Sequence, residues 1–260
     1  MSLLSVQNLR KDFGGNRAVN DVTFQVEPGE LLALIGPNGA GKSTTFNMIN
    51  GQLKPTAGQV TLKGRSVLGL APERIARLGV GRTFQITATF ASMTVRENVQ
   101  MALLSHHGRL FSFFTSARRH APGQADALLD QVGMLDQAGR ACSELAYGDL
   151  KRVELAMSLA GDPSLLLMDE PTAGMAPAER NALVGLVKQL VQQRSMAVLF
   201  TEHSMDVVFA YADRVIVLAR GELIAQGTVQ AVRADPRVQA VYFGSGRTFE
   251  TGSGNSDHAL

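Results

Sequence analysis

One glycine-rich segment constrains the fold of this chain more than any other feature of its sequence. It lies between a five-residue apolar run, 31–35, and residues 42–50, whose pattern predicts a helix. The segment matches G-x-x-x-x-G-K-[ST]. Between a strand and a helix, the backbone amides of such a segment and the helix N-terminus face phosphate groups. A glycine-rich turn with an incidental lysine is the alternative, and the strand-to-helix setting disfavours it. The sequence therefore predicts a site for a nucleoside triphosphate.

The chemistry of this segment assigns roles to its residues. Glycines allow backbone angles and close approaches that a side chain would block. Lys42 is predicted to reach the β- and γ-phosphates, and the Ser43 hydroxyl is predicted to ligate Mg²⁺. The predicted phosphate-binding residues are Gly36, Pro37, Asn38, Gly39, Ala40, Gly41, Lys42, Ser43 and Thr44.

Composition and charge exclude several other classes of protein. The 260 residues include one cysteine, Cys142, which excludes an internal disulfide and a cysteine-based metal cluster. A formal net charge of +2 gives no indication of nucleic-acid binding. No apolar run reaches the roughly 18–20 residues of a membrane-spanning helix, and the first residues lack the pattern of a signal peptide. We therefore expect a soluble, cytosolic protein that acts at a membrane only through a partner.

The hydrophobic pattern changes twice along the chain, and these changes predict the architecture. Alternating stretches predict strands near the N-terminus, a helical period covers about 86–160, and strand–helix alternation returns from residue 165. We predict an α/β fold with a mostly parallel sheet, an N-terminal antiparallel β patch and an inserted helical subdomain. The sheet carries the glycine-rich segment 36–44, which is called the P-loop below. One domain is expected over residues 1–243. The Gly- and Ser-rich residues 244–260 are expected to be disordered.

Residues 106–120 mix phenylalanines with basic side chains inside the predicted helical subdomain. This stretch is either a surface loop that packs its phenylalanines on its own domain or a contact for a partner or a membrane surface. The sequence leaves both alternatives open.

Two adjacent carboxylates follow the buried apolar run 165–168. Asp169 is predicted to hold Mg²⁺, and Glu170 is predicted to polarise the attacking water. A solvated turn is the alternative, which a nearby P-loop disfavours. His203 follows the next apolar run, and the carboxyl end of a parallel strand is where such folds bind ligands. We expect His203 to contact the γ-phosphate and the water, although a single histidine is more often an ordinary polar residue.

Two further candidates have weaker signals. Gln85 follows a predicted strand at the start of the helical subdomain, from where it can reach Mg²⁺ or the attacking water. Phe13, next to a Gly-Gly turn, is a candidate to stack on the adenine ring. A phenylalanine packed in the core is the alternative reading of Phe13, and the sequence does not decide between the two.

The order of these features resembles the ATPase subunit of an ABC transporter. The resemblance covers residues 1 to about 243 and implies a RecA-like P-loop NTPase core that binds ATP and Mg²⁺. It implies that Phe13 packs on adenine, that Gln85 lies in the Q-loop, and that His203 is the switch histidine. It also implies that a further segment contacts the phosphates of an ATP held by another subunit. This signature segment consists of Leu145, Ala146, Tyr147, Gly148 and Asp149.

The signature segment departs from the family pattern Leu-Ser-Gly-Gly-Gln. It keeps Leu145 and Gly148 but has Ala146 in place of the serine, which removes one hydroxyl contact with the γ-phosphate. The N-terminus of the helix that begins near Asp149 still offers amides to a phosphate, and an acidic residue suits a helix start. The D-loop also departs, because Ala176 lacks the polar side chain usual at that position.

Narrower features resemble the importers of branched-chain amino acids. They are the sequence Leu-Ala-Tyr-Gly at 145–148, Glu-His-Ser-Met at 202–205, the 106–120 insert and the ending at 235–244. The resemblance implies the ATP-hydrolysing motor of an importer for branched-chain or other neutral amino acids. The alternatives are a motor for lipid extraction or export, a soluble ABC ATPase that acts on ribosomes or DNA, and a P-loop kinase or GTPase. The guanine-selecting Asn-Lys-x-Asp sequence is absent.

The family architecture also implies partners and a location. Two ATPase subunits pack head to tail, so that each ATP lies between residues 36–44 of one subunit and residues 145–149 of the other. The second subunit is either this chain again or a related one. The helical subdomain transmits movement to membrane permease subunits, which take solute from a binding protein. We therefore expect a peripheral protein at the cytoplasmic face of the inner membrane, with no nucleic-acid partner.

Overall fold

Two β-sheets form the framework of the protein in a computed structural model that describes residues 2–83, 89–106 and 122–243. The first sheet is antiparallel, with strand order β2-β1-β4-β5, and the second has the order β10-β9-β3-β8-β7-β6. Five strands of the second sheet run parallel, and β10 pairs antiparallel with β9. The strands are β1 (Leu4–Phe13), β2 (Asn16–Val26), β3 (Leu31–Ile35), β4 (Ala57–Leu62), β5 (Arg65–Ser66), β6 (Val80–Thr83), β7 (Leu165–Asp169), β8 (Ala197–Thr201), β9 (Arg214–Ala219) and β10 (Glu222–Gly227).

Nine α-helices of the described residues surround these sheets, and three of them, α3 to α5, make up the helical insertion. None is long and apolar enough to cross a membrane. The helices are α1 (Lys42–Ile49), α2 (Pro72–Arg77), α3 (Val95–His106), α4 (Pro122–Gln131), α5 (Tyr147–Leu159), α6 (Pro177–Arg194), α7 (Met205–Tyr211), α8 (Val229–Ala234) and α9 (Pro236–Phe243).

Strand β3 lies between the two hydrophobic cores and contributes side chains to both. Leu31, Ala33 and Ile35 join the core that extends into the helical insertion. Leu32 and Leu34 join the other core, which includes the N-terminal sheet and α1. Because successive side chains of a strand point to opposite faces, a parallel strand that is covered on both sides needs an uninterrupted apolar sequence. The P-loop therefore begins at the end of one of the most buried strands of the protein.

The predicted fold class is confirmed, with local differences. Strands β5 and β10 and helix α7 were not predicted. The turn between β9 and β10 has Arg220 at φ +51° and Gly221 at φ +82°, and such a pair of positive φ values favours a two-residue hairpin. Within the predicted helical period, α4 covers Pro122–Gln131 and is followed by Gly133 at φ +68°, a backbone angle typical of the residue after a helix. Residues 107–120 of the basic-aromatic stretch and the tail 244–260 lie outside the described residues. The role of that stretch and the disorder of the tail therefore stay predictions.

The C-terminal helix α9 returns the chain to the start of the P-loop. Tyr242 packs against the larger core, and the backbone N–H of Gly36 faces its hydroxyl. Burial raises the pKa of Tyr242, and the nearby backbone N–H of Gly36 opposes that shift only in part. The last helix therefore packs a phenol next to the nucleotide segment, and burial favours the protonated form of that phenol.

Replacing Tyr242 with Phe tests this packing. An acid whose pKa is raised by folding contributes stability that is present below its unfolded pKa, about 10 for tyrosine, and is lost as the pH rises further. We expect the tyrosinate absorbance contributed by Tyr242, obtained as parent minus Tyr242→Phe, to appear well above pH 10 in folded protein. In denaturant it should appear near pH 10. A Tyr242 signal near pH 10 in the folded protein would contradict the buried placement.

Candidate nucleotide-binding site

The P-loop is held in shape by two contacts in which backbone approaches glycine. A Cβ atom on Gly36 would lie 2.2 Å from the carbonyl oxygen of Leu218. A Cβ atom on Gly41 would lie 2.6 Å from the carbonyl oxygen of Ala18, and Gly41 has φ +97°. Gly41 is also the N-cap of α1, where no side chain caps the first turn. The first amides of this helix are therefore available to an anion, as the sequence predicted for a phosphate site.

Lys42 is the first residue of α1 and is buried inside the loop. Its ammonium group donates to the carbonyl oxygens of Gly36, at 2.7 Å, and Pro37, at 3.2 Å. Burial lowers the pKa of Lys42, while the negative charges of Glu170 and Asp169 act in the opposite direction. A buried cation that faces two carboxylates matches a site for a polyphosphate and its metal ion.

Asp169 and Glu170 lie at the carboxyl end of β7, next to β8. The Thr201 hydroxyl donates to Asp169 at 2.7 Å and accepts from the Glu170 amide at 3.0 Å. This arrangement follows from the parallel register, which pairs Asp169 with Thr201. Glu170 has φ +49°, so the chain turns sharply there and the two carboxylates leave the strand in different directions.

His203 and Glu170 are brought into direct contact. The Nε2 atom of His203 lies 2.8 Å from Oε1 of Glu170. The histidine side chain is half exposed and the carboxylate is partly buried. The structure therefore brings together the P-loop, Asp169, Glu170 and His203, all of which were proposed from the sequence. Gln85 lies outside the described residues, and its predicted role stays a prediction.

Phe13 lies at the end of β1 with 49% of its surface exposed, which excludes the core alternative. The ammonium group of Lys11 lies 5.0 Å from the centre of its ring. An exposed aromatic ring with a neighbouring cation suits contact with a purine base. Stacking of adenine on Phe13 stays a prediction.

The signature segment forms the start of α5 and packs against its own chain. Ala146 is the N-cap of α5 and is exposed, with no side-chain cap on the helix. The Tyr147 hydroxyl donates to the carbonyl oxygen of Ala173 at 3.3 Å. A Cβ atom on Gly148 would lie 3.2 Å from a carboxylate oxygen of Glu179, so Gly148 is already crowded within one subunit. The Nε2 amide of Gln137 donates to the Asp149 carboxylate at 3.4 Å.

Arg82 was not predicted from the sequence, although it connects Asp169 to a groove between the sheet and the helical insertion. The Arg82 guanidinium lies 3.7 Å from the Asp169 carboxylate and donates to the side chains of Asn47, at 3.0 Å, and Gln52, at 2.8 Å. The groove has a volume of about 660 Å³, and Arg82 lies in its wall. The sequence did contain a signal for this contact, which is a charged residue within the predicted strand before Gln85. That strand pairs with β7, which ends in Asp169, so Arg82 lies beside β7.

Comparison with known proteins identifies the family. A model of the ABC transporter family matches residues 19–173, which is more than half of the chain. The chain belongs to the ABC transporter ATPases. A second model, described as a branched-chain amino acid ATP-binding cassette transporter, matches residues 222–248. Membership confirms the predicted ATP-binding domain and its activity, the hydrolysis of ATP coupled to transport.

Two curated relatives are similar to this ABC ATPase over nearly their whole length. The high-affinity branched-chain amino acid transport ATP-binding protein LivG of Salmonella typhimurium is 40% identical over 252 residues, which is 93% of this chain and 98% of LivG. The protein BraF of Pseudomonas aeruginosa, described in the same words, is 37% identical over 249 residues, covering 93% of this chain and 98% of BraF.

Two solved structures of ATP-binding cassettes from ABC transporters have the same fold. The ADP conformation of MJ1267 superposes with a TM-score of 0.84 at 30% identity, covering 94% of this chain and 99% of MJ1267. A nucleotide-free cassette superposes with a TM-score of 0.83 at 30% identity, covering 94% of this chain and 100% of that one. These likenesses confirm the P-loop core with its antiparallel patch and helical insertion.

A pair of variants tests the role of Phe13. Replacing Phe13 with Ala should weaken ATP binding by about 5- to 150-fold, because base–aromatic stacking contributes about 1–3 kcal/mol per base. Phe13→Tyr keeps the ring and should bind ATP within about threefold of the parent. Titration with ATP and with inorganic triphosphate separates base from phosphate contacts. Equal losses for the two ligands would contradict the stacking role.

Proposed function

We propose that this ABC ATPase powers the import of branched-chain or other neutral amino acids. The observation that carries the proposal is the match of residues 222–248 to the branched-chain cassette model, since this segment, which includes β10, α8 and α9, lies outside residues 19–173 that match the general ABC transporter model. The names of the LivG and BraF relatives support the same substrate class. The solute itself would be bound by partner subunits, because the P-loop site is built for a polyphosphate.

Uptake by cells tests this function. A strain that lacks the gene for this chain should lose high-affinity uptake of radiolabelled leucine, isoleucine and valine. The parent gene should restore uptake, whereas the Lys42→Ala gene should not, because that variant lacks the phosphate-binding ammonium group. Unchanged uptake of all three amino acids in the deletion strain would contradict the proposed substrate class.

We propose a Mg²⁺ site formed by Ser43 and Asp169 together with the nucleotide, with Gln85 as a further ligand. Asp169 is buried at the sheet edge, and Ser43 is exposed at the start of α1. A hydroxyl and a carboxylate are hard oxygen donors, and Mg²⁺ is usually held by one or two carboxylates plus substrate phosphates. The residues present therefore fit the ion. When bound, Mg²⁺ supplies positive charge that neutralises the β- and γ-phosphates.

In the proposed chemistry, Glu170 is the general base and His203 orients the reacting groups. Glu170 accepts a proton from water as the oxygen of that water attacks the γ-phosphorus, and the bond from the γ-phosphorus to the bridging oxygen breaks, so that ADP leaves with that oxygen. Nε2 of His203 lies 2.8 Å from the same carboxylate, which supports a role in holding the water or the γ-phosphate in line. Lys42 binds the phosphates whose charge increases during transfer.

We propose that two ATPase subunits pack head to tail, so that the start of α5 meets the ATP of the other subunit. The uncapped amides beside Ala146 and the positive end of the helix dipole support this role. Movement of the pair would reach the permeases through the helical insertion, whose groove contains Arg82, the neighbour of Asp169. The permeases would hold the protein at the cytoplasmic face of the inner membrane.

The general base is tested by Glu170→Gln, which keeps the shape of the side chain but removes the proton acceptor. ATP hydrolysis should slow by about 10²–10⁴-fold, which corresponds to roughly 3–5 kcal/mol of activation free energy. ATP should remain bound, because its contacts survive. Glu27→Gln is the control, since Glu27 is an exposed carboxylate elsewhere on the domain and its loss should leave the rate unchanged. Parent-like hydrolysis by Glu170→Gln would exclude Glu170 as the base.

The shared site is tested at Ala146, because Gly148 is crowded within its own chain. Ala146→Asp adds an N-cap to α5, which should raise the free energy of unfolding by about 0.5–2 kcal/mol. It also adds negative charge where the phosphate of the other subunit would approach. We expect ATP-driven dimerisation to be lost while ATP binding by the single subunit is kept. Ala146→Ser, an uncharged N-cap, should dimerise at least as well as the parent.

Sizing in ATP with a Glu170→Gln background measures this difference. The comparison separates charge from helix stability, since both Ala146 variants cap the same helix. If Ala146→Asp and Ala146→Ser dimerise equally, no phosphate approaches the start of α5, and the head-to-tail arrangement is wrong.

A further inference from the structure

Glu202 is a buried carboxylate that the proposed chemistry does not use. It follows strand β8, and only 3% of its surface is exposed. One carboxylate oxygen, Oε1, accepts from the hydroxyl of Thr172 and from the Thr172 amide, which lies at 3.3 Å. The other oxygen, Oε2, accepts from the amides of His203, at 2.9 Å, and Ser204, at 3.2 Å. Glu202 therefore joins two segments of backbone through its two oxygens.

The first of these segments, residues 171–176, also contacts the signature segment. The carbonyl oxygen of Ala173 accepts from the Tyr147 hydroxyl, and a Cβ atom on Gly148 would lie 3.7 Å from Met175. The 171–176 loop therefore lies between the start of α5 on one side and Glu202 on the other.

The second segment carries the histidine of the proposed catalytic pair. The backbone amide of His203 donates to Glu202, and the ring of His203 contacts Glu170. Ser204, the other residue held by Glu202, is also bonded by Arg180 from helix α6, which begins directly after the 171–176 loop. Two hydrogen-bonded contacts thus connect the loop and its helix to the turn at 202–204.

We propose that Glu202 is a positioning residue that ties the 171–176 loop to the backbone of His203. In the head-to-tail pair, the signature segment of a subunit faces the ATP of the other subunit, whereas its Glu170–His203 pair faces its own ATP. Through the contact with Glu202, the position of the signature segment sets the geometry of the Glu170–His203 pair. The inference rests on the proposed catalytic pair and on the head-to-tail arrangement. It assigns Glu202 no contact with the nucleotide or the attacking water.

The role of Glu202 can be tested with Glu202→Gln, because a side-chain amide has one acceptor oxygen where the carboxylate has two. In Glu202→Gln one side of the group becomes an N–H donor, which faces either the amides of His203 and Ser204 or the amide of Thr172. The segment that faces this donor therefore loses its backbone hydrogen bonds to residue 202, although the Thr172 hydroxyl, which also accepts, can still bond to the amide. Thr172→Val removes the hydroxyl from the other end of the same connection, and Thr172→Ser keeps that hydroxyl.

The full-length chain and its variants should be compared by steady-state ATP hydrolysis and by ATP titration. Glu202→Gln and Thr172→Val should each lower kcat at least tenfold, with the dissociation constant for ATP within twofold of the parent. The double variant should be no slower than Glu202→Gln alone, because both changes interrupt one connection. Thr172→Ser should hydrolyse ATP within threefold of the parent.

Glu30→Gln is the matched control for loss of a buried carboxylate. Glu30 is 9% exposed and accepts from the Glu27 amide at 2.7 Å and from Arg214 at 2.7 Å. It precedes β3, so it lies at the opposite end of the sheet from Glu202. Glu30→Gln should lower the melting temperature as Glu202→Gln does, yet keep kcat within twofold of the parent.

Three outcomes would overturn the inference. The first is a kcat for Glu202→Gln equal to that of Glu30→Gln. The second is a double variant whose loss of kcat equals the product of the losses in Glu202→Gln and Thr172→Val. The third is an equal kcat for Thr172→Ser and Thr172→Val. If Glu202→Gln does not fold, the kcat values of Thr172→Ser and Thr172→Val decide whether the connection is needed for hydrolysis. His203→Ala separates the inference from its basis: parent-like hydrolysis by this variant removes the proposed role of His203. Slow hydrolysis by His203→Ala with an unaffected Glu202→Gln removes only the role of Glu202.

Discussion

The parallel pairing of β3, β8 and β7 is the constraint on which the site depends. In a parallel sheet all strands end at the same edge, so the loops that follow β3, β7 and β8 meet there. The P-loop follows β3, Asp169 and Glu170 end β7, and His203 lies just after β8. The Thr201 hydroxyl fixes this edge, since it bonds both Asp169 and the Glu170 amide across two strands. A slip of one residue in this register would turn those side chains to the other face.

Burial of the central strand on both faces gives the site its rigidity. The two hydrophobic cores meet at β3, and the backbone of Leu218 in β9 approaches Gly36 so closely that no side chain fits there. A loop held in this way presents its amides in one fixed arrangement, which costs little reorganisation when a charged ligand is bound. The same packing brings helix α9 against Gly36, so the segment that matches the branched-chain model also supports the nucleotide core.

Contacts within one subunit change the interpretation of the signature segment. The family resemblance implies that Gly148 belongs to a segment that contacts the phosphate of an ATP held by another subunit. In the structure a Cβ atom there would already press against Glu179, so packing within the chain gives a reason of its own for glycine. Tyr147, which departs from the family pattern, contacts the 171–176 loop instead of facing solvent alone. The start of α5 is therefore a joint between a potential phosphate site and the catalytic edge of its own sheet.

The sequence by itself determined the features that depend on local chemistry and on short-range patterns. The segment 36–44 between an apolar run and a helix, the carboxylates after residue 168 and the change to helical periodicity near 86 predicted the nucleotide fold and most of the candidate site. The hairpin that adds β10 was missed because its strand is half exposed and at the sheet edge, where the apolar pattern is weak.

Only the tertiary structure decided which residues meet across the sheet edge. Arg82 and Asp169 are 87 positions apart, and Thr172 and Glu202 are 30 apart, so neither contact leaves a periodic signal in the sequence. The exposure of Phe13 was likewise undecided until the packing around β1 was known. Local propensities and spacing define each strand, loop and helix, whereas contacts between loops arise only when the strands pair in one register. The polar partners of Asp169 and His203 were therefore set by the fold.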